Sequence, residues 1–561
     1  MAASSDPCFE ATRRLETTAV DSAGRPLAPL RPSTEEGARD PGSPASRHGE
    51  DAGRFDGGDG ASGEPALGAP GTVPPPRIWM QSSRQPQDGA RHKVELELLH
   101  HSDGGCLEVF VEGRLRGRLS LGLGTKGGIR ASGNAHQIRK ILRLPLLIPL
   151  SADDGGQAES PGEARDVGQE RLRPRPRPDA RVQRPPRGTP SPARHELVTY
   201  EVGFSRGERL LELRAVGRGT VRLFGLRSLA ERPGVVVHNV GVVGAQASNT
   251  LPGHPVLVES QLRRLDPALL LLMLGTNDAY DDRLTVDQHE QRLTALIRRL
   301  RGAGDQPDCL VLSAPDFGDP NYRKARILRR NAALIRSVQR RVAAAERCAF
   351  WDLYAAMGGA DSISRMQRAH PPFAYRDRVH LTANGYRALG MLLHEALMGS
   401  YAAYLKARPG LKVSGPTPEP GRDPEVARRE REERRRWPTG VGPVAMEDGA
   451  GRFLGRFFRA LVLLSRKAPR AQARVLVIGD SHAAGDLLTG ELRRLLQRDF
   501  GDAGHGYVHA GAPWPGYARQ GLKVGATGTW RYYYLRTRSQ VEQPRDGLFG
   551  LGGVSTWITQ P

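Results

Sequence analysis

Asp377 and His380 stand three residues apart in Asp377-Arg-Val-His380-Leu-Thr-Ala-Asn-Gly-Tyr386, just ahead of an amphipathic helical stretch. At that spacing the carboxylate can accept from one ring nitrogen of the histidine, which fixes the tautomer and leaves the other nitrogen as a base. Such a pair calls for a nucleophile. The well-formed candidate lies far along the chain, in Val475-Leu-Val-Ile-Gly479-Asp480-Ser481-His482, where an apolar strand-like run ends in a glycine and a serine opens a helix. A solitary Asp-x-x-His is more often a surface ion pair, so its neighbours in the chain must decide.

Two further groups have the same setting, a strand followed by polar residues. Gly244 follows Val235 to Val240 in Gly241-Val-Val-Gly244-Ala-Gln-Ala-Ser248, where a glycine lets the backbone turn and aim its N–H at a substrate oxygen. Asn277 follows Leu269 to Leu274 in Gly275-Thr-Asn277-Asp278 and brings an amide donor to a strand end. Taken singly, the first is an ordinary turn and the second an ordinary helix cap. Their common position at strand ends separates them from that background, because ligands of open α/β sheets sit outside the carboxyl ends of the strands.

The elements that must carry these residues alternate from Gly234 onward. Val235 to Val240, Leu269 to Leu274, Cys309 to Ser313 and Cys348 to Trp351 read as strands. Between them, Thr285-Val-Asp-Gln288 is a capping box ahead of a helical stripe at Leu293, Leu296, Ile297 and Leu300. A second helix spans Tyr322 to Arg347, with Ile327, Leu334, Ile335, Val338 and Val342 on one side. This rhythm predicts an α/β fold with a parallel sheet covered on both faces. Upstream, Val94 to Leu99, Leu107 to Val111, Leu197 to Phe204, Glu208 to Ala215 and Thr220 to Leu226 alternate with period two, which predicts a small antiparallel β-sandwich over 79–229. An Arg/Pro-rich segment, about 125–194, interrupts it as a disordered loop, and residues 1–78 read as a disordered tail. The core occupies 230–404, and 405–470 is a linker with a charged helix. Residues 471–561 form a βα unit carrying the serine, with Leu488, Leu492, Leu495 and Leu496 on the inner side of its helix.

Together, Gly244, Gly275-x-Asn277 and Asp377-x-x-His380 resemble the second, third and fifth blocks of the SGNH hydrolase superfamily of GDSL-like lipases and esterases. Gly479-Asp480-Ser481-His482 resembles the first, serine-bearing block. The sequence is similar to bacterial peptidoglycan or polysaccharide O-acetylesterases with a β-sandwich inserted between the first two blocks; Phe500 to Tyr507 and Pro513-Trp514 resemble the stretch after their serine. The resemblance implies a three-layer SGNH-type fold and a Ser481–His380–Asp377 triad. It also implies an oxyanion hole from the backbone N–H groups of Ser481 and Gly244 with the Asn277 side chain. The implied substrate is an ester, an acetylated glycan by analogy, and neither a cofactor nor a metal is implied. By the same resemblance the protein acts in the cell envelope, although no signal peptide stands at Met1.

The order of the blocks departs from the family, since the serine comes last. Either residues 471–561 supply the first strand and helix of the same sheet, or the chain is a slice of a tandem pair, ending near Leu551 to Pro561 where another sandwich is due. Exchange of the serine unit within a domain-swapped homodimer satisfies the same sheet. If the unit does not dock, the chain is an inactive SGNH-like fragment or glycan-binding protein.

Composition narrows the rest. The 82 Lys and Arg against 61 Asp and Glu give +21, but the arginines are scattered among Ala, Gly and Pro without interleaved aromatics or zinc spacing, which argues against specific nucleic-acid binding. No apolar run is long enough to span a membrane. Phe453 to Leu464, broken by Arg456 and Arg459, reads as a packed linker helix rather than a membrane-surface one. Cys8, Cys106, Cys309 and Cys348, without paired spacing, read as buried thiols. His482 and His505 read as solvated loop histidines.

Overall fold

The structure is a computed structural model that describes residues 74–83, 91–123, 138–148, 193–250, 253–281, 283–318, 325–411, 424–449, 451–534 and 546–560. The expected tail, apart from its last residues, and most of the expected Arg/Pro-rich loop lie outside the described residues, as does Cys8. In chain order the strands are β1 (Arg77–Ser82), β2 (His92–His100), β3 (Cys106–Val111), β4 (Arg114–Ser120), β5 (Ile138–Ile148), β6 (Ala193–Phe204), β7 (Leu210–Val216), β8 (Gly219–Ala230) and β9 (Gly234–Asn239). They continue as β10 (Leu269–Met273), β11 (Asp308–Leu312), β12 (Ala349–Trp351), β13 (Gln472–Gly479), β14 (Gly506–Val508), β15 (Leu522–Thr527), β16 (Arg531–Tyr533) and β17 (Ser555–Gln560).

One sheet is wholly parallel, in the order β12-β11-β10-β13-β9. Its strands are short and apolar on both faces, as burial between two helical layers requires. Leu269, Leu271, Met273, Val475 and Val477 face a core shared with the helices Ala383–Lys406, Gly455–Ser465 and Leu488–Phe500. Leu270, Leu272, Leu476 and Ile478 face the opposite core, shared with Pro255–Leu265, Val286–Gly302 and Ala325–Ala345. The strand latest in sequence, β13, pairs on both sides, with Val477 opposite Leu271 of β10 and Asn239 of β9. Without it the leucines of β10 would meet no neighbour on that side.

Two antiparallel sheets lie beside this unit, one ordered β15-β1-β7-β3-β4 and the other β16-β17-β8-β2-β6-β5, with β14 pairing β8. They share a core that includes Ile78, Leu96, Val109, Val198 and Leu213. Residues after the serine helix do more than complete the parallel sheet, because β14 to β17 all join the antiparallel ones. The fold is therefore mixed α/β, with one parallel and two antiparallel sheets.

Several expectations are corrected. Residues 138–148 are a strand rather than loop, because Ile138 and Leu144 pack inward and the outermost position of β5 tolerates the missing N–H of Pro145. Strand β1 begins at Arg77, inside the expected tail. In the helix Ala325–Ala345, Ile327 and Leu334 are exposed, and Leu328, Ile335, Val338 and Val342 are the buried stripe. Adjacent helical positions diverge by about 100°, so Leu334 and Ile335 cannot both face the sheet. Cys309 and Cys348 are not thiols but a disulfide, and Cys106 is disulfide-bonded as well. The parallel pairing of Leu310 with Ala349 places the two cysteines side by side on neighbouring strands, a closeness their separation of 39 residues conceals. The helix Gly455–Ser465 buries Phe457, Phe458 and Leu461 against the sheet. Among the described residues no helix is long and apolar enough to cross a membrane.

Candidate active site

Strand β13 stops at Gly479 and the chain turns at once into the short helix Ser481–Ala484. Asp480 caps that helix by accepting from the His482 backbone N–H. The turn is tied to both flanking strands: Asp480 N–H donates to the Met273 carbonyl at the end of β10, and Val242 N–H, beyond β9, donates to the Gly479 carbonyl. The glycines are steric requirements here. A Cβ at Gly479 would lie 2.5 Å from the Ala483 Cβ, and one at Gly241 would lie 2.8 Å from it.

Asp377 and His380 reach the same place from the other side of the chain. Asp377 Oδ1 accepts the backbone N–H groups of Val379 at 2.9 Å and His380 at 3.0 Å, and its Oδ2 accepts from His380 Nδ1 at 2.7 Å. Burial raises the Asp377 pKa, but the His380 hydrogen bond and the two backbone donors outweigh it and hold the carboxyl at about 2. With Nδ1–H committed to that carboxylate, His380 Nε2 is the acceptor, and it lies 3.0 Å from Ser481 Oγ. Ser481, His380 and Asp377 thus form one continuous hydrogen-bonded line.

The alignment is supported behind these three residues. Tyr386 OH pairs with His482 Nδ1 at 2.9 Å, both residues being buried. Burial, with a further contribution from His380, lowers His482 to about 3, so it is neutral at ordinary pH. About two helical turns later, buried His394 Nε2 meets Asp499 Oδ2 at 2.8 Å, joining the helix that follows His380 to the helix that follows Ser481. Neither His482 nor His505 is solvated; they are 3% and 8% exposed. His505 lies apart from Ser481, in a cavity of about 420 Å³ lined also by Ser82, Lys93 and Arg232. His482 is covered by Tyr386, and His505 Nε2 meets Ser82 Oγ at 3.4 Å.

Gly244 and Asn277 stand on the loops after β9 and β10, the two strands that flank β13. Gly244 has φ of 82°, a conformation that favours glycine. Asn277 Nδ2 donates to the Ala245 carbonyl at 3.1 Å, and Gln246 Nε2 donates to the Asn277 carbonyl at 2.9 Å, so the two loops hold each other. Neither residue lines the open cleft of about 1270 Å³ that contains Asp377, His380 and Ser481.

A buried polar group beneath the serine turn escaped the sequence reading. Asn239 Nδ2 donates to the Ala483 carbonyl at 2.7 Å and to Thr489 Oγ1 at 2.8 Å. Asp486, completely buried, accepts from Arg493 at 2.8 Å, Thr489 at 2.8 Å and Gln520 N–H at 3.0 Å. Burial works against that charge, but Arg493 and Arg519 hold the carboxyl well below its usual range. An asparagine closing a β-branched run was the available signal for part of this group.

Comparison with known proteins follows this geometry. Residues 217–388 match the GDSL-like Lipase/Acylhydrolase family, a span that ends before Ser481. Among curated proteins none matches the chain. A solved peptidoglycan O-acetylesterase aligns at 15% identity and a TM-score of 0.28, over 55% of this chain and 65% of its own. The lipase/acylhydrolase from Enterococcus faecalis aligns at 20% identity and a TM-score of 0.20, over 28% of this chain and 92% of its own. A family two carbohydrate esterase from Clostridium thermocellum aligns at 10% identity and a TM-score of 0.16, over 48% and 76%. This chain thus spans a little under two thirds of the first of these structures.

Proposed function

We propose that this protein, whose residues 217–388 match the GDSL-like lipase/acylhydrolase family, is a serine esterase of SGNH type that removes O-acyl groups, chiefly acetyl, from a carbohydrate. The observation that carries the reading is the 3.0 Å approach of His380 Nε2 to Ser481 Oγ, with Asp377 2.7 Å behind the ring. In the proposed reaction His380 takes the hydroxyl proton as Ser481 Oγ attacks the ester carbonyl, and Asp377 stabilises the imidazolium. In this reading the oxyanion is received by the backbone N–H groups of Ser481 and Gly244 and by the Asn277 amide hydrogen not given to the Ala245 carbonyl, Gly244 and Asn277 reaching in from the neighbouring loops. Collapse passes the proton to the departing sugar oxygen and leaves an acyl-serine. Water, deprotonated by His380, then releases the carboxylic acid and restores Ser481.

The carbohydrate assignment is supported by the wall of the cleft, where Arg368, His370, Tyr375 and Arg376 are exposed. These exposed polar side chains can meet a hydrophilic carrier, while Ala369, Pro372, Leu381, Leu487 and Pro515 give the same cleft apolar surface for the acyl group. The two antiparallel sheets read as the sandwich companion of the catalytic unit and offer it a glycan-facing surface. The decisive experiment compares p-nitrophenyl acetate hydrolysis by the whole chain and by Ser481→Ala. Loss with the alanine supports the triad, and equal rates would sink it.

A further inference from the structure

The cleft at Ser481 carries more positive than negative side chains. Among the described residues lining it, Asp377 is the sole carboxylate, and it is held by His380. Two guanidinium groups, Arg368 and Arg376, stand on the same wall without strong partners. Arg376 enters no ion pair among the described residues. Arg368 meets only Asp361, at 3.9 Å, with both side chains more than 60% exposed, a pairing that water largely screens.

Tyr375, next to Arg376 in the chain, lines the same cleft and is 40% exposed. Its position is fixed by the active site itself: Tyr375 N–H donates to the His380 carbonyl at 2.9 Å, and Ala374 bridges to Leu381 in antiparallel fashion. Tyr375 and Arg376 are therefore the two residues immediately before Asp377, on the rim of the same small hairpin. An exposed aromatic residue in the cleft that holds Ser481 offers a flat apolar face to the C–H side of a pyranose. A free guanidinium one residue on offers a planar two-donor fork to a carboxylate.

From this arrangement, and resting on the esterase reading above, we infer that the substrate is an ester on a carboxylate-bearing sugar, a uronate-type glycan. The sugar ring lies against Tyr375, and its carboxylate is received by Arg376 with Arg368 behind it. The positive balance of the whole chain, +21, acts in the same direction by drawing a polyanionic carrier toward the cleft.

The test measures acetate release from O-acetylated oligogalacturonate and from the same oligosaccharide with its carboxyls reduced to primary alcohols, with p-nitrophenyl acetate as the uncharged reference. The full chain is expected to prefer the carboxylate form by roughly 5- to 10-fold in kcat/KM, a preference that narrows as salt is added. Arg376→Gln is expected to bring the ratio of the two oligosaccharides close to one. That ratio is read within each variant, so a general loss of folded protein cancels. Tyr375→Ala is expected to raise KM for both oligosaccharides. Hydrolysis of p-nitrophenyl acetate with equal or reversed preference between the oligosaccharides overturns the inference and leaves the esterase reading standing. Hydrolysis of no ester at all overturns both.

Discussion

His380 Nε2 and Ser481 Oγ, 101 residues apart in sequence, stand 3.0 Å apart in space. The contact is made because strand β13, which delivers Ser481, is inserted between β9 and β10, and the helix after His380 packs on the helix after Ser481. The serine, although it follows the Asp–His pair in the chain, therefore joins it in one line of hydrogen bonds.

Replacing Ser481 by alanine removes the oxygen proposed to attack and leaves the partly exposed turn otherwise filled. Esterase activity is expected to fall by roughly 10³-fold or more, with an unchanged melting temperature. Steady-state assay beside a thermal melt checks both halves.

Asp377→Asn keeps the shape but can present its amide to His380 Nδ1, which favours the wrong tautomer. A loss in kcat of about 10⁴ is expected. Because the native carboxyl is held at about 2, it stays ionised through the neutral and mildly acid range. Its folded pKa is below the unfolded value, so its stabilising effect is present above roughly pH 4 and is lost as pH falls toward 2. An acid-unfolding titration of wild type and variant should differ in that window and nowhere above it.

Asp480 behaves in the opposite sense. Burial raises it to about 7 against the pull of the His482 N–H. The folded carboxyl then holds its proton more tightly than the unfolded one, so stability falls as pH rises from roughly 4 to 7 and is level beyond. Asp480→Asn, which keeps an oxygen for the His482 N–H, is expected to abolish that slope. Urea denaturation at pH 5 and pH 8 measures it, and an identical slope in the variant would refute the assignment.

Arg493→Met should leave the Asp486 carboxylate buried with weakened compensation, since Arg519 lies at 3.6 Å while Arg493 donates at 2.8 Å. A destabilisation of roughly 3–5 kcal/mol is expected by denaturant titration. As Asp486 also bonds Thr489, which in turn supports Asn239 beneath the serine turn, activity should fall together with stability.

The Cys309–Cys348 bridge closes a loop of 39 residues that contains the helix Ala325–Ala345. Replacing both cysteines by alanine is expected to cost up to about 4 kcal/mol. Chemical denaturation of the oxidised protein against the double variant reads this directly.

Local patterns were legible in the residues themselves. The apolar runs at Leu269 and Val475, the capping box at Thr285 and Gln288, which forms as expected, and the leucine stripe after Ser481 each depend on near neighbours in the chain. The residue types at the candidate site were legible for the same reason, since a serine after a strand and an Asp three residues before a His are short-range patterns. What no short range contains is who stands beside whom. The insertion of β13, the pairing of Cys309 with Cys348, the burial of His482 against Tyr386 and the Asp486–Arg493 cluster all join residues through the register of strands and the packing of helices. Strand β5 and the exposed Leu334 were misread on the same account, because whether an apolar residue is covered depends on the surface opposite it. Sequence alone determined which residues could form strands, caps and a reactive group; the tertiary structure decided that Ser481 meets His380, because the open edges of β9 and β10 are paired only when the last parallel strand lies between them.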